Sequence, residues 1–286
     1  MKKRTLNLLS SIAAISLTGS LPAQAYTVNT TTLYDSSSLT TPDKIANPYL
    51  VFTNPLNPHD GSGSQQFMNT VVGTELISSV DQITGYTNYN TSIQNNALTL
   101  TTLINPGFPD LNPHLGYTLS FTAKMASQTN NTPIDAGFDV ILMSDQSGMG
   151  IDLGFRNPNT LNNTPDIFAL DSNLTSVAQS NSNVGNILGN LTTYNLNVIG
   201  TKYTLSAGNA NLLSGYLKNY SHAAGPASNI YRTANFFYIV DDSIAAGGVT
   251  DITNITLTTN VPEPLNVLGA ASAIGLGLAL KRWFKN

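Results

Sequence analysis

The chain has no cysteine among its 286 residues, a single tryptophan, and only 12 Lys and Arg against 16 Asp and Glu. Without cysteine there is no disulfide, no thiolate nucleophile and no thiolate-bound metal. Histidine is sparse: His59, His114 and His222 fall in stretches that read as loops. None stands at ligand spacing from another, and no His-Glu-x-x-His is present, so no metal centre is expected from them. A Gly-x-Ser-x-Gly elbow is missing, which removes the usual signature of a hydrolase triad. Gly61 to Ser64 is not followed by Gly-Lys-Ser/Thr and reads as a flexible turn rather than a phosphate cradle. Glutamate is scarce, with Glu75 and Glu263 alone, so no Glu-x-Asp-x-Glu strand can form.

What is present begins at the two ends. Lys2, Lys3 and Arg4 precede an apolar run from Leu6 to Leu17, followed by small residues, Pro22, and then Ala23 and Ala25 around Gln24. This is the three-part secretory signal, a helix read by signal peptidase with cleavage after Ala25. At the other end, Leu265 to Leu280 carries no charge. As a helix it would be about 24 Å long, short for a bilayer core until Val261 and the pair Trp283 and Phe284 extend it. A single transmembrane helix is therefore expected. Lys281, Arg282 and Lys285 follow it and should stay in the cytoplasm, which places everything before Val261 outside. Pro262 and Pro264 hold their neighbours extended around Glu263, a shape that a processing enzyme can grip.

The order Pro262, Glu263, Pro264, short apolar helix, basic end resembles the PEP-CTERM sorting signal of Gram-negative bacteria. The resemblance covers the whole tail, 261–286. It implies a membrane protease-transpeptidase, an exosortase, that cuts at or near the motif. The body would pass through an inner-membrane intermediate and then be released, or transferred to the cell envelope or extracellular matrix.

Between a signal peptide at 1–25 and the tail lies a body at 26–260 with six basic and fifteen acidic residues. Its net charge of −9, against −4 for the whole chain, should repel nucleic acid and anionic lipid. Its length supports one core without disulfides. It shows no amphipathic helix. Stretches rich in β-branched and aromatic residues recur at Tyr49–Thr53, Val71–Ser78, Ala97–Ile104, Tyr117–Met125, Phe138–Ser144, Met149–Phe155, Ile167–Leu170, Tyr194–Ile199, Tyr203–Ala207, Leu212–Leu217, Phe236–Asp241 and Ile252–Thr258. Several alternate, as in Tyr117, Leu119 and Phe121 opposite Thr118, Ser120 and Thr122. Turn residues separate them at Asp145–Gly148, Ile199–Thr201 and Gly208–Asn209. Apart from Tyr49–Thr53, the Pro-rich stretch Asn47–Gln66 reads as loop, as does Pro106–Pro113. The expectation is an all-β, two-sheet antiparallel sandwich, plausibly a jelly roll.

The order of these segments, from Gly137–Ser144 and Gly150–Phe155 through Ile167–Leu170, Tyr194–Val198, Tyr203–Ser206 and Leu213–Tyr220 to Asn235–Tyr238 and Ile252–Thr259, resembles the concanavalin-like sandwiches. It is similar to exported bacterial choice-of-anchor proteins, especially the Y type. That resemblance implies an anchored surface protein and no assigned catalysis.

Three sets of body residues are candidates for chemistry. Asp241 and Asp242, at the end of an aromatic strand, could bind Ca²⁺ through carboxylate oxygens and shape a sugar site, or could end the strand in an Asx turn. Asp139 and Asp152, on neighbouring strands, could form a hydrolytic pair; the alternation instead expects each to face outward from the apolar side. Tyr86, Tyr89, Tyr216 and Tyr220, if exposed, could stack on sugar rings. Eight Asn-x-Ser/Thr sites, at Asn29, Asn90, Asn130, Asn162, Asn173, Asn190, Asn219 and Asn254, are expected by chance in so Asn- and Thr-rich a chain. The reading is an exported surface or exopolysaccharide-matrix protein with a structural or adhesive role and no cofactor. The alternative is a lectin-like glycan-binding module using Ca²⁺.

Overall fold

A computed structural model describes residues 26–53, 64–68, 73–80, 83–94, 97–130, 135–146, 148–157, 164–224, 228–242 and 245–263. Eighteen strands occur among them. They are β1 (Tyr26–Asp35), β2 (Val51–Thr53), β3 (Ser64–Met68), β4 (Gly73–Ser78), β5 (Thr84–Thr87), β6 (Tyr89–Gln94), β7 (Ala97–Leu103), β8 (Tyr117–Asn130) and β9 (Asp139–Met143). The remainder are β10 (Met149–Arg156), β11 (Asp166–Leu170), β12 (Val177–Asn181), β13 (Thr192–Ile199), β14 (Lys202–Ala207), β15 (Ala210–Tyr216), β16 (Lys218–Asn219), β17 (Phe237–Asp241) and β18 (Ala246–Pro262).

Two eight-stranded sheets result. The first runs β15-β14-β13-β8-β18-β4-β3, with β1 added beside β18; the second runs β12-β11-β10-β9-β17-β5-β2, with β16 added beside β10. β6 and β7 form a separate hairpin. Thr27–Val261 make one compact unit, and the all-β sandwich expected from the alternating pattern is what forms.

The period of two does the sorting. In β8, Tyr117, Leu119, Phe121, Ala123 and Met125 are buried, while Thr118, Ser120, Thr122 and Lys124 between them are not. Their partners in register, Val198, Leu196 and Tyr194 of β13 and Thr259, Leu257 and Ile255 of β18, turn the same way. A slip of one residue would expose every one of them, so the register is strongly specified. The core centre is aromatic. The Phe121 ring lies 5.2 Å from Tyr194, stacked, and 5.8 Å from Phe155, edge-on; Phe138 meets Phe155 at 5.2 Å. Phe121 and Tyr194 come from the first sheet and Phe155 from the second, so this cluster ties the layers together. Each such ring contributes roughly 1.5–3 kcal/mol through burial. The turns at Gly200 and Gly208 take φ of +60° and +55°, which glycine adopts without steric cost.

The sequence pattern missed β1, β3, β5, β6, β12 and β16. β1 is a run of Thr and Asn with mostly exposed side chains, β16 has only two residues, and β12 is half-exposed at a sheet edge. None alternates enough to be seen. Ser64–Gln66, read as loop, belongs to β3, because β4 offers it a partner. Ile252–Thr258 proves to be the middle of β18, which runs on to Pro262 and takes in the first two residues of the tail segment. Pro262 ends the strand, where a missing N–H is tolerated.

A larger departure concerns the second sheet. Its inner face joins the core, but its outer face is also buried. Tyr220, Ala223, Ile230, Tyr231 and Phe236 pack over Ile141, Met143 and Tyr238 as a second apolar cluster, with Tyr89, Leu100 and Leu174 half-buried against it. In β10, Gly150, Asp152 and Gly154 occupy this face in alternation. A Cβ at Gly154 would run into the Phe168 ring, and one at Gly150 would meet Met143. Arg156 closes the layer, bonding Asp166 through Nε at 2.7 Å and Nη2 at 2.6 Å, with its guanidinium 5.0 Å from the centre of the Phe168 ring.

The signal helix, the cleavage residues Ala23 and Ala25, the transmembrane helix, Pro264 and the basic residues Lys281, Arg282 and Lys285 lie outside the described residues. Among the described residues no helix is long and apolar enough to cross a membrane.

Candidate functional site

The acidic residues singled out in the sequence meet in one place, beneath the covering layer of the second sheet. Asp139 opens β9, Asp152 sits mid-β10 two register positions away, and Asp241 ends β17 alongside, with Asp242 just after it. The alternation placed Asp139 and Asp152 facing outward. They do point away from the core, but Asp139 is 3% exposed and Asp152 0%. The correction has a physical cause: Tyr220, Tyr231 and their neighbours lie over that face.

Tyr231 holds the cluster. It belongs to the short 3₁₀ turn Ile230–Arg232, and its hydroxyl bonds Asp152 Oδ2 at 2.6 Å and reaches Asp242 Oδ2 at 3.4 Å. Tyr220 accepts from the Asp152 N–H at 3.3 Å and donates to the Leu170 carbonyl at 3.4 Å. Asp139 and Asp242 hydrogen-bond each other through their carboxyl groups. Asp139 Oδ2 and Asp152 Oδ1 are buried without a hydrogen-bond partner. Val240, next to this pair, has φ +108°, a strained conformation for a β-branched residue.

Burial governs the protonation of the group. Asp139 is pushed well above the usual carboxylate range by burial, then by the nearby charges of Asp242, Asp152 and Asp241. Asp152 is raised by burial and by Asp242, partly offset by the Tyr231 hydroxyl. Asp242, which keeps part of its surface in solvent, is pushed up to about 6 by burial, with the bond from Asp139 working against the rise. Both carboxyls of the Asp139–Asp242 contact are thus driven toward the protonated form. Like-charged carboxyls this close share protons rather than both ionising.

The geometry bears on both chemical readings considered for these residues. Glycoside hydrolysis needs two carboxyls separated by room for a sugar. Asp139 and Asp242 touch each other, and Asp139 and Asp152 lie under Tyr231 with no surface open to substrate. A Ca²⁺ ion takes six to eight oxygen ligands. Among the described residues no three His, Asp or Glu side chains stand in a metal-holding arrangement.

The tyrosines divide. Tyr86 and Tyr220 are fully buried, so neither can stack on a sugar, and the Tyr86 hydroxyl donates to Gln65. Tyr89 is half-buried, with its hydroxyl on the Ala234 carbonyl. Only Tyr216 stands clear, 58% exposed, with Lys202 Nζ 5.7 Å from its ring centre. His114 is exposed and bonded to Gln146, and His222 is exposed; His59 lies outside the described residues. Of the sequons, Asn29, Asn90, Asn173, Asn190 and Asn219 are exposed.

The outer face of the first sheet contrasts with this buried cluster. Ser214, Thr204, Asn197, Thr118 and Thr258 stand side by side across five strands, and Thr30 of β1 joins them through a 2.9 Å bond to Thr258. A second row holds Asn211, Ser206, Asn195, Ser120 and Thr256; a third holds Thr193, Thr122 and Asn254. All are exposed or half-exposed. No charged or large apolar side chain interrupts them. The alternation around Thr118, Ser120 and Thr122 was the visible sign of this face, but the matching of rows across strands required the register.

No protein-family model matches the chain, and no curated protein matches it. Among solved structures the chain is similar to a carbohydrate esterase from the Shiga toxin-encoding bacteriophage phi24B, with 11% identity, 82% of this chain and 100% of that one covered, and a TM-score of 0.47. It is similar to the exoplasmic/lumenal domain of VIP36 in a Ca²⁺/Man2-bound form, with 11% identity, 83% and 91% coverage and a TM-score of 0.43. A protein of unknown function with a galectin-like fold from Bacillus subtilis matches with 8% identity, 84% and 100% coverage and a TM-score of 0.46. These are likenesses of general outline, and no residue role is carried across from them.

Proposed function

We propose that the chain is an exported, non-enzymatic surface or exopolysaccharide-matrix protein, processed by an exosortase at its C-terminal tail, whose sandwich has a structural or adhesive role. The observation that carries this reading is the way the body ends. β18 ends at the proposed sorting motif: Val261 is 46% exposed, Pro262 closes the strand and Glu263 is exposed. A protease can reach a segment placed this way without unfolding the sheet. The body's −9 charge and the sealed state of its buried aspartates fit a binding or structural role better than hydrolysis.

Expression of the full chain in cells with and without an exosortase tests the processing. Cells with the enzyme should release a body shortened near Pro262, while cells lacking it should retain the longer form in the membrane. An unchanged mass and equal membrane retention in both would overturn the proposal.

A further inference from the structure

We infer that the outer face of the first sheet is a binding surface for an extended, uncharged polysaccharide. This rests on the reading of a surface or matrix protein and names the chemistry of what the body adheres to.

The first argument is the composition of the face. Its three rows contain only Ser, Thr and Asn. Nucleic acid and anionic membranes require basic residues, and stable protein interfaces require aromatic or aliphatic anchors at their centre. The rows offer neither. They offer hydroxyls, which donate and accept, and carboxamides, which do both with fixed geometry. An uncharged, hydroxyl-rich polymer matches that inventory. An acidic polymer would meet a body of net charge −9. Charges stand only at the borders of the field: Lys124 paired with Asp251 at 3.7 Å and Glu75 opposite Asp251 beyond its third row, and Lys202 beside its first.

The second argument is order. Asn197 Nδ2 donates to Thr118 Oγ1 at 2.9 Å, Thr122 and Thr193 hydroxyls meet at 2.7 Å, and Ser120 bonds Asn195. These lateral bonds hold the side chains in place before any ligand arrives, which lowers the ordering cost of binding. The longest row crosses six strands, about 24 Å at the spacing of neighbouring strands. That spacing is close to the advance of one pyranose along an extended chain.

The third argument is the rim. Residues next to the first row on the same face are Ile199, Lys202 and Tyr216, in register with one another. Ile199 is 61% and Tyr216 58% exposed, two of the few large apolar side chains left in solvent among the described residues. An exposed ring beside a hydroxyl array is what a sugar uses, with its C–H face on the ring and its hydroxyls on the polar rows.

The test uses the full-length protein in mild detergent and three insoluble polymers: cellulose and mannan as neutral probes, and cross-linked polygalacturonate as the acidic one. The protein should sediment with at least one neutral polymer, with little dependence on salt, and not with the acidic one. The double variant Asn197→Ala/Thr204→Ala should weaken this by about tenfold, the loss of one or two hydrogen bonds, and Tyr216→Ala should weaken it separately. Lys124→Ala, outside the field, should leave it unchanged. Thermal melting is followed for each variant; should the double variant melt early, Thr193→Ala and Ser214→Ala, both at exposed positions, replace it. Binding to neither neutral polymer would overturn the inference. So would undiminished binding in the face variants, or binding lost on raising salt. Any of these results would leave the exosortase experiment, and the surface placement it tests, untouched.

Discussion

The two sheets of this sandwich follow the same alternation and carry opposite outer faces. On the first, the residues between the core positions are Ser, Thr and Asn, open to water and bonded sideways to one another. On the second they include Asp139 and Asp152, sealed under Tyr220 and Tyr231. The period of a strand says which side a residue points to. Whether that side is wet depends on where distant residues, here 218–224 and 228–236, come to rest. One face can therefore present polar groups to a partner, while the other keeps its polar groups as a strained, proton-dependent part of the fold.

The contrast can be broken most severely at Arg156. Arg156→Ala leaves Asp166 buried without its bidentate partner and should cost about 3–5 kcal/mol, read as a fall in the denaturant midpoint. A change of less than about 1 kcal/mol would mean that the covering layer is open to water.

A pH series is the next largest. The folded pKa of Asp242 is raised to about 6 from an ordinary 3.8. The group therefore contributes its full stability below about pH 4 and loses it as pH rises through 6, by on the order of 2–3 kcal/mol. The raised Asp139 and Asp152 extend the loss to higher pH. Asp139→Asn should flatten the curve and stabilise the protein at pH 8 relative to wild type. Wild-type stability that is flat or rises between pH 4 and pH 8 would contradict the sealed cluster.

Tyr231→Phe removes a donor shared by Asp152 and Asp242. It should cost about 1–3 kcal/mol and move the pH-dependent loss upward, since that hydroxyl favours the ionised carboxylates. An unshifted profile would show that Tyr231 only fills space. At the small end, Ser120→Ala on the open face should change stability by no more than about 0.5 kcal/mol. A larger cost would mean that its row supports the sheet rather than a ligand.

Much of the fold was legible in the sequence for a simple reason. Tyr117, Leu119 and Phe121, or Tyr203 and Leu205, alternate with polar residues, and burying one side of such a strand leaves few arrangements. β1 was not legible because Thr27 to Thr31 shows no apolar alternation, is exposed or half-exposed on both sides, and is held by pairing with β18 rather than by a buried face. The acidic site was half legible. Asp139, Asp152, Asp241 and Asp242 could be named individually, but their meeting depends on strand order and their burial on the covering segment. Tyr86 and Tyr220, weighed as sugar-stacking residues should they be exposed, are core residues, because tyrosine fits either place and sequence does not distinguish them. Tyr231, which ties the carboxylates together, carried no local signal, lying in a short turn between loops.

The last strand has a mechanical consequence. β18 is paired along one side with β8 and along the other with β4 and β1. β1 lies antiparallel to it, since Thr30 is beside Thr258 and Ser36 beside residues 252–253. A tug transmitted through residue 261 would thus run parallel to the strand and load its flanking ladders in shear, all rungs together, instead of peeling them one at a time. A body pulled by that end would meet the load along paired strands on both sides.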